Sequence, residues 1–142
     1  MFLKSLEIFG FKSFVDRTRI EFSDGITALL GPNGCGKSNV VDAVKWVLGE
    51  QSAQNMGEKK MEDIIFNGTA KRKQASFCEV SLVFDNEDSA LKSNFAEVMV
   101  TRRVYRNGDS EYYLNKTACR LRDILELFRD TGIGREGYSL IG

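Results

Sequence analysis

The chain has 142 residues, of which 42% are hydrophobic and 28% charged, a composition typical of one soluble globular domain. Its 20 basic and 20 acidic residues cancel, so any surface for nucleic acid has to be local. It has no histidine, and its three cysteines lack metal-ligand spacing, which excludes histidine-dependent catalytic triads and histidine-containing metal sites and suits a reducing compartment. We identify neither a signal peptide nor an apolar run near the ~18 residues of a membrane span, and expect a cytoplasmic protein.

Two strands are predicted at the start of the chain. Residues 1–9 alternate apolar and polar side chains, and residues 17–22 do the same over a shorter stretch. Between them, residues 10–14 carry a glycine, two phenylalanines and a lysine, which indicate a turn anchored by aromatic side chains.

A phosphate-binding loop (P-loop) is predicted next. An apolar run at residues 26–30 indicates a buried strand, and residues 39–48 have apolar side chains at helical spacing. Between them lies a match to G-x-x-x-x-G-K-[ST], Gly31-Pro32-Asn33-Gly34-Cys35-Gly36-Lys37-Ser38. Glycines let successive N–H groups point into one concavity, and the helix adds its positive end. A polyphosphate is the expected ligand, with Lys37 at its terminal phosphates and Ser38 on Mg²⁺.

The second half of the chain predicts an antiparallel sheet. Residues 78–85 alternate strictly, which favours an antiparallel strand with one wet face. Residues 97–105 and 110–114 form a predicted hairpin across the turn sequence at 107–108. Residues 120–130 have the spacing of an amphipathic helix. The predicted fold is α/β, a partial P-loop NTPase domain with a mixed sheet, an antiparallel sheet and a P-loop helix.

Asp85 carries an alternative interpretation. P-loop ATPases need a carboxylate on a neighbouring strand to hold Mg²⁺, and Asp85 ends an apolar strand. That carboxylate normally ends a fully buried parallel strand, so a solvated turn is the preferred interpretation. Apart from Asp85, we identify no group that would hold Mg²⁺ with Ser38 or activate water, and we interpret the chain as a fragment without the hydrolytic half.

Six stretches, taken in order, resemble the N-terminal half of the head of a bacterial SMC protein, a chromosome-structuring ATPase of the ABC type. A P-loop alone names a superfamily, whereas this ordered set is typical of one family. The match covers essentially the whole chain, at residues 10–14, 31–43, 46–52, 60–66, 101–106 and 119–124.

The resemblance implies that residues 1–142 are one lobe of an ATPase head that binds ATP and Mg²⁺. The other lobe, with the signature motif and the catalytic glutamate, and the coiled coil and hinge are absent, so this chain is expected to bind ATP weakly and not to turn it over. Implied partners are the C-terminal lobe of the same head, a second copy in a homodimer, kleisin-type accessory subunits and DNA; no membrane is implied, and the location is cytoplasmic, on the nucleoid.

The resemblance also implies site residues. No catalytic residue is assigned within the chain. Ser38 is the implied Mg²⁺ ligand, and the implied DNA contacts are Lys60, Arg120 and Arg122. The residues implied to surround the nucleotide are Lys12, Ser13, Pro32, Asn33, Gly34, Cys35, Gly36, Lys37, Ser38 and Asn39.

Two departures from the family pattern affect these expectations. Gly57 stands where an arginine is usual, so either Lys59 substitutes for it or that contact is lost, and Cys35 stands where serine is usual. Two alternatives stay open: a DNA-repair ATPase of the same head architecture, like RecN or RecF, or a self-contained small P-loop enzyme in which Asp85 is functional.

Overall fold

The computed structural model describes residues 1–22, 37–49, 61–129 and 131. In chain order the elements are β1 (Phe2–Phe9), β2 (Thr18–Glu21), α1 (Lys37–Val47), a 3-10 helix (Met61–Ile64), β3 (Phe77–Asp85), β4 (Glu97–Tyr105), β5 (Ser110–Leu114), β6 (Thr117–Cys119) and α2 (Leu121–Leu127). The six described strands form one sheet in the order β2-β1-β3-β4-β5-β6, and every pairing is antiparallel. No helix in the described ranges is long and apolar enough to cross a bilayer.

The core lies between one face of this sheet and α1. Four of the 11 residues of α1 are valines, which are poor helix formers, so packing rather than propensity stabilises this helix. A fully buried aliphatic side chain contributes about 1.5–3 kcal/mol, and five residues of α1 are buried. The buried α1 side chains are Val40, Ala43, Val44, Trp46 and Val47, and those of the central strands include Leu6, Ile8, Val80, Leu82, Val98 and Val100.

The hairpin of β4 and β5 has the predicted bounds. Asn107 Oδ1 accepts a hydrogen bond from the Asp109 N–H at 2.9 Å, and Gly108 has φ +95°, so the Asn-Gly sequence makes the turn. A second hairpin, from β5 to β6, was not predicted. Its turn residues Asn115 and Lys116 both have positive φ, +49° and +70°, and Lys116 is not a residue type that signals such a turn.

Most other predicted elements are confirmed with shifted ends. The first two strands and the first helix differ from prediction by at most two residues at either end, and the last helix is shorter than predicted. The antiparallel prediction for β3 is confirmed, because it pairs with β1 and β4 in that sense. The strand predicted at residues 26–30 lies outside the described residues, so the parallel part of the predicted mixed sheet stays a prediction.

Candidate nucleotide-binding site

The described part of the motif lies at the start of α1, which begins two residues before the predicted helix start at Asn39. Lys37 is the first residue of α1, and Ser38 and Asn39 complete its first turn. This turn contains no acidic residue, so no carboxylate within it opposes the partial positive charge of the helix start. The start of α1 therefore fits an anion. The glycine-rich part of the motif, residues 31–36, lies outside the described residues, as do the side chains of Lys37 and Ser38.

The turn at residues 10–14 is fixed by backbone hydrogen bonds to residues 64 and 66, and it packs against α1 through Phe11. The Lys12 N–H donates to the Ile64 carbonyl at 2.5 Å, and the Phe66 N–H donates to the Gly10 carbonyl at 2.6 Å. Phe11 is fully buried, with its ring centroid 5.5 Å from that of Trp46 on α1. The aromatic anchoring that the sequence predicts is confirmed, and it sets this turn against the helix.

Two side-chain contacts join the turn to the early turns of α1. Lys12 Nζ lies 2.7 Å from Asp42 Oδ2, and both side chains are largely buried, at 13% and 15% exposure. Asn39 Nδ2 donates to Ser13 Oγ at 2.9 Å. Asn39 and Asp42 are three residues apart, so they lie on one face of the helix. The structure therefore brings together Lys12, Ser13 and Asn39, three of the predicted site residues.

Asp42 was not predicted to take part in this site. Its signal in the sequence is its position three residues after Asn39, which places both side chains on one helical face. The sequence alone does not show that Lys12 faces it, because that contact joins residues 30 positions apart.

The end of α1 is held by Arg102 of β4. This side chain is only 3% exposed, and its Nη1 donates to the Trp46 carbonyl oxygen at 2.9 Å. Its guanidinium lies 4.6 Å from the centre of the Trp46 ring and 5.2 Å from that of Tyr112 on β5. Burial lowers the pKa of Arg102, and nearby Tyr112 and Cys78 oppose part of that shift. Its signal in the sequence is an arginine at a buried position of an alternating strand, between Val100 and Val104.

Asp85 lies at the opposite end of the sheet from this site. It pairs with Phe2 at the start of β1, whereas the turn at residues 10–14 follows the end of β1. An eight-residue strand separates the two places by roughly 23 Å. The Asp85 Oδ1 accepts the Glu87 N–H at 3.0 Å, as expected for a solvated turn. This position argues against a self-contained enzyme that uses Asp85.

The candidate DNA contacts lie elsewhere, at the start of α2. Arg120 is 68% exposed and lies 3.9 Å from Asp123 Oδ2, and Arg122 is also exposed. The Arg120 N–H donates to the same carboxylate at 2.9 Å, which fixes the beginning of this helix. Lys60 lies outside the described residues. Among those residues, no cluster of acidic or cysteine side chains could hold a metal ion.

Comparison with known proteins places these features in a family. The family model described as the RecF/RecN/SMC N terminal domain matches residues 2–139. A chromosome partition protein Smc from Clostridium kluyveri is 61% identical over 142 residues, which are 100% of this chain and 12% of that protein. The chain therefore spans about an eighth of the length of this relative.

Solved structures agree with this match. A structure from work on ATP-driven dimerisation and DNA-stimulated activation of SMC ATPases has a TM-score of 0.83 at 40% identity, covering 90% of this chain and 78% of that one. An Smc head bound to the C-winged helix domain of ScpA has a TM-score of 0.82 at 38% identity, covering 90% and 40%. A RecF structure with ATP, at 19% identity and a TM-score of 0.58, covers 84% and 28% and shares the fold alone. The described fold is thus that of part of an SMC head, and RecF shares this fold.

Proposed function

Because the chain belongs to the RecF/RecN/SMC N-terminal domain family, we propose that it is the ATP-binding N-terminal lobe of a chromosome-partition ATPase head. The observation that carries this proposal is the pair of contacts that set the turn at residues 10–14 on α1, Lys12 with Asp42 and Ser13 with Asn39. They join a loop and a helix start into one surface whose residue types suit a nucleotide.

Each residue of this surface has a proposed role. Lys37 contacts the terminal phosphates as a point charge, and the Ser38 hydroxyl holds Mg²⁺, which shields the phosphate charge when it is bound. Ser13 and Asn39 supply neutral hydrogen-bonding groups at the first turn, and Lys12, which is paired with Asp42, supplies a second cation. The backbone of the preceding loop completes the phosphate cradle, at Pro32, Asn33, Gly34, Cys35 and Gly36.

Hydrolysis needs groups that the described residues do not bring to this surface, since the Asp42 carboxylate is paired with Lys12 and Asp85 lies at the far end of the sheet. The proposed source is the C-terminal lobe of the same head, so the chain alone is expected to bind ATP weakly and not to turn it over. A second head and a kleisin-type subunit are proposed partners. Support comes from related structures described for ATP-driven dimerisation and for a head bound to ScpA.

The first experiment measures ATP binding and turnover by this chain alone and after mixing with the C-terminal head lobe of the Clostridium kluyveri relative. Turnover should appear only in the mixture. Lys37→Ala should abolish turnover and weaken ATP binding at least about tenfold, as expected for the loss of a charge-assisted contact. Lys45→Ala is the matched control, because Lys45 lies in the last turn of the same helix, away from its start.

Two outcomes would contradict the proposal. Turnover by the isolated chain that depends on Lys37 would mean that the chain already contains the water-activating group. Equal binding by the Lys37→Ala and Lys45→Ala variants would mean that the motif does not hold the phosphates.

DNA is the second proposed ligand, with Lys60, Arg120 and Arg122 contacting backbone phosphates. The experiment measures duplex affinity of the mixed lobes across a salt series. The Arg120→Ala, Arg122→Ala double variant should weaken binding to all sequences alike and reduce the slope of log affinity against log salt by about 2. Arg19→Ala, which removes an exposed arginine on β2, should leave the slope unchanged, and an unchanged slope in the double variant would refute this role.

A further inference from the structure

Arg102 occupies an unusual place for a charged residue. It lies on the face of β4 that packs against α1, where the alternating neighbours Val100 and Val104 are also buried. Burying a guanidinium is costly unless its charge and its N–H groups find partners. Here the partners are the Trp46 carbonyl and the faces of two aromatic rings, those of Trp46 and Tyr112. Such a site depends on a planar, charged side chain.

The Trp46 carbonyl, which accepts the hydrogen bond from Arg102, lies at the negatively polarised end of α1. It belongs to the last turn of α1, where carbonyl groups carry the partial negative charge of the helix, and it also accepts the Gly49 N–H at 3.2 Å. A cation at this end stabilises the helix in the same sense as an anion at its start. Arg102 therefore complements the end of α1 opposite to the proposed phosphates.

The register of the sheet extends this contact toward α2. Arg102 pairs with Tyr112 on β5, and Tyr112 pairs with Cys119 on β6. The next residue, Arg120, is the N-cap of α2. The paired residues Arg102, Tyr112 and Cys119 thus form a row that leads from β4 to the start of α2, where two of the proposed DNA contacts lie.

We propose that Arg102 is a positioning residue that holds α1 between the nucleotide site and the β5–β6 hairpin. Nucleotide binding at the start of α1 then alters the contacts of Arg102 with the rings of Trp46 and Tyr112, which together form the Trp46–Arg102–Tyr112 stack. The inference rests on the proposed function. Arg102 is distant from the proposed phosphates, and it would act through the opposite end of α1, the helix whose start is proposed to bind them.

Trp46 provides the readout, because it is the one tryptophan in the chain. The experiment titrates Mg-ATP into the chain while recording Trp46 fluorescence, and measures affinity by the anisotropy of a fluorescent ATP analogue with the C-terminal lobe of the Clostridium kluyveri relative added. Arg102→Lys keeps the charge and loses the planar fork. It should weaken affinity about tenfold, the equivalent of one charge-assisted hydrogen bond, and remove the nucleotide-dependent change in Trp46 fluorescence.

Arg103→Lys is the matched control. Arg103 is the next residue of the same strand and points to the opposite face, where it contacts Glu79 and Glu111. Affinity and the Trp46 signal should match those of the unsubstituted chain. Should Arg102→Lys fail to fold, as judged by circular dichroism, Tyr112→Leu removes the second ring and retains Arg102, and it should also reduce the Trp46 signal.

The outcomes separate the inference from the proposed function. If the unsubstituted chain shows no Lys37-dependent binding, the proposed function fails and the inference falls with it. If Lys37-dependent binding is present and the Arg102 and Tyr112 variants retain both full affinity and the Trp46 signal, only the inference is overturned. A lower melting temperature with unchanged affinity and signal would assign Arg102 a purely structural role, which also overturns it.

Discussion

The ion pair between Lys12 and Asp42 should contribute more to the free energy of unfolding than an exposed ion pair does. Its atoms lie 2.7 Å apart with both side chains largely buried. At that distance the Coulomb energy is about 6 kcal/mol for an effective dielectric constant of about 20, and desolvation of both groups offsets most of it. We expect a net coupling of about 2 kcal/mol, between the values for exposed and fully buried pairs.

A double-mutant cycle with Lys12→Met and Asp42→Asn measures this coupling. The free energy of unfolding is determined in urea for the unsubstituted chain, both single variants and the double variant. Lys4 and Glu97 supply a matched control pair, since their atoms lie 2.8 Å apart but their side chains are 47% and 59% exposed. The control coupling should be small and should disappear in about 0.5 M salt, whereas most of the Lys12–Asp42 coupling should remain.

A Lys12–Asp42 coupling no larger than that of the control pair, or one that is lost in salt, would refute a stabilising role for this ion pair. Either result would mean that the turn at residues 10–14 is held by its backbone, by Phe11 and by the Ser13–Asn39 hydrogen bond without the ion pair. The ion pair would then be a consequence of the fold and not a determinant of where Lys12 lies.

Two further predictions concern Gly10 and Cys78. Gly10 has φ +66°, and a Cβ there would lie 2.5 Å from the Phe77 carbonyl oxygen, so Gly10→Ala should lower the free energy of unfolding by about 2–4 kcal/mol. Gly108 has φ +95° but open space around it, so Gly108→Ala should lower it by only about 1 kcal/mol. Equal losses in the two variants would contradict the predicted clash. Burial raises the pKa of the Cys78 thiol to about 12, so its contribution to stability is complete below its ordinary pKa of 9.0 and is lost as the pH rises toward 12. Alkali should therefore lower the melting temperature of Cys78→Ala less than that of the unsubstituted chain. Iodoacetamide at pH 8 should label the partly exposed Cys119 before the buried Cys78, and equal labelling rates would refute the burial of Cys78.

The sheet was predictable from sequence wherever its signals are local. The β4–β5 hairpin has its predicted bounds because alternation and the Asn-Gly turn are properties of neighbouring residues. The β5–β6 hairpin was missed because its last strand has three residues and its turn uses Lys116 at positive φ. A strand this short is defined by its partner and not by its own pattern.

The site was predictable only as a set of residue types. The P-loop pattern and the family resemblance indicate Lys12, Ser13 and Asn39, and the structure brings these three together. Neither indicates Asp42 or Arg102, because their roles depend on contacts with residues far away in the chain. An arginine between two buried valines is a usable signal, since such a residue must find a partner inside the protein.

The sheet order has a consequence for how the chain folds. Strands β3 to β6 follow one another as hairpins, but β1 lies beside β3 only after the chain has passed through β2 and α1. Contacts between distant segments form more slowly than those within hairpins. β1 also pairs with its neighbour β2, so we expect β4 and β5 to acquire protection in pulsed hydrogen exchange before those amides of β1 that bond to β3. Earlier protection of those β1 amides would contradict this order. The turn that carries Lys12 follows β1, so the nucleotide surface would be completed in the last step of folding. ATP would therefore bind the fully folded chain and not its partly folded precursors.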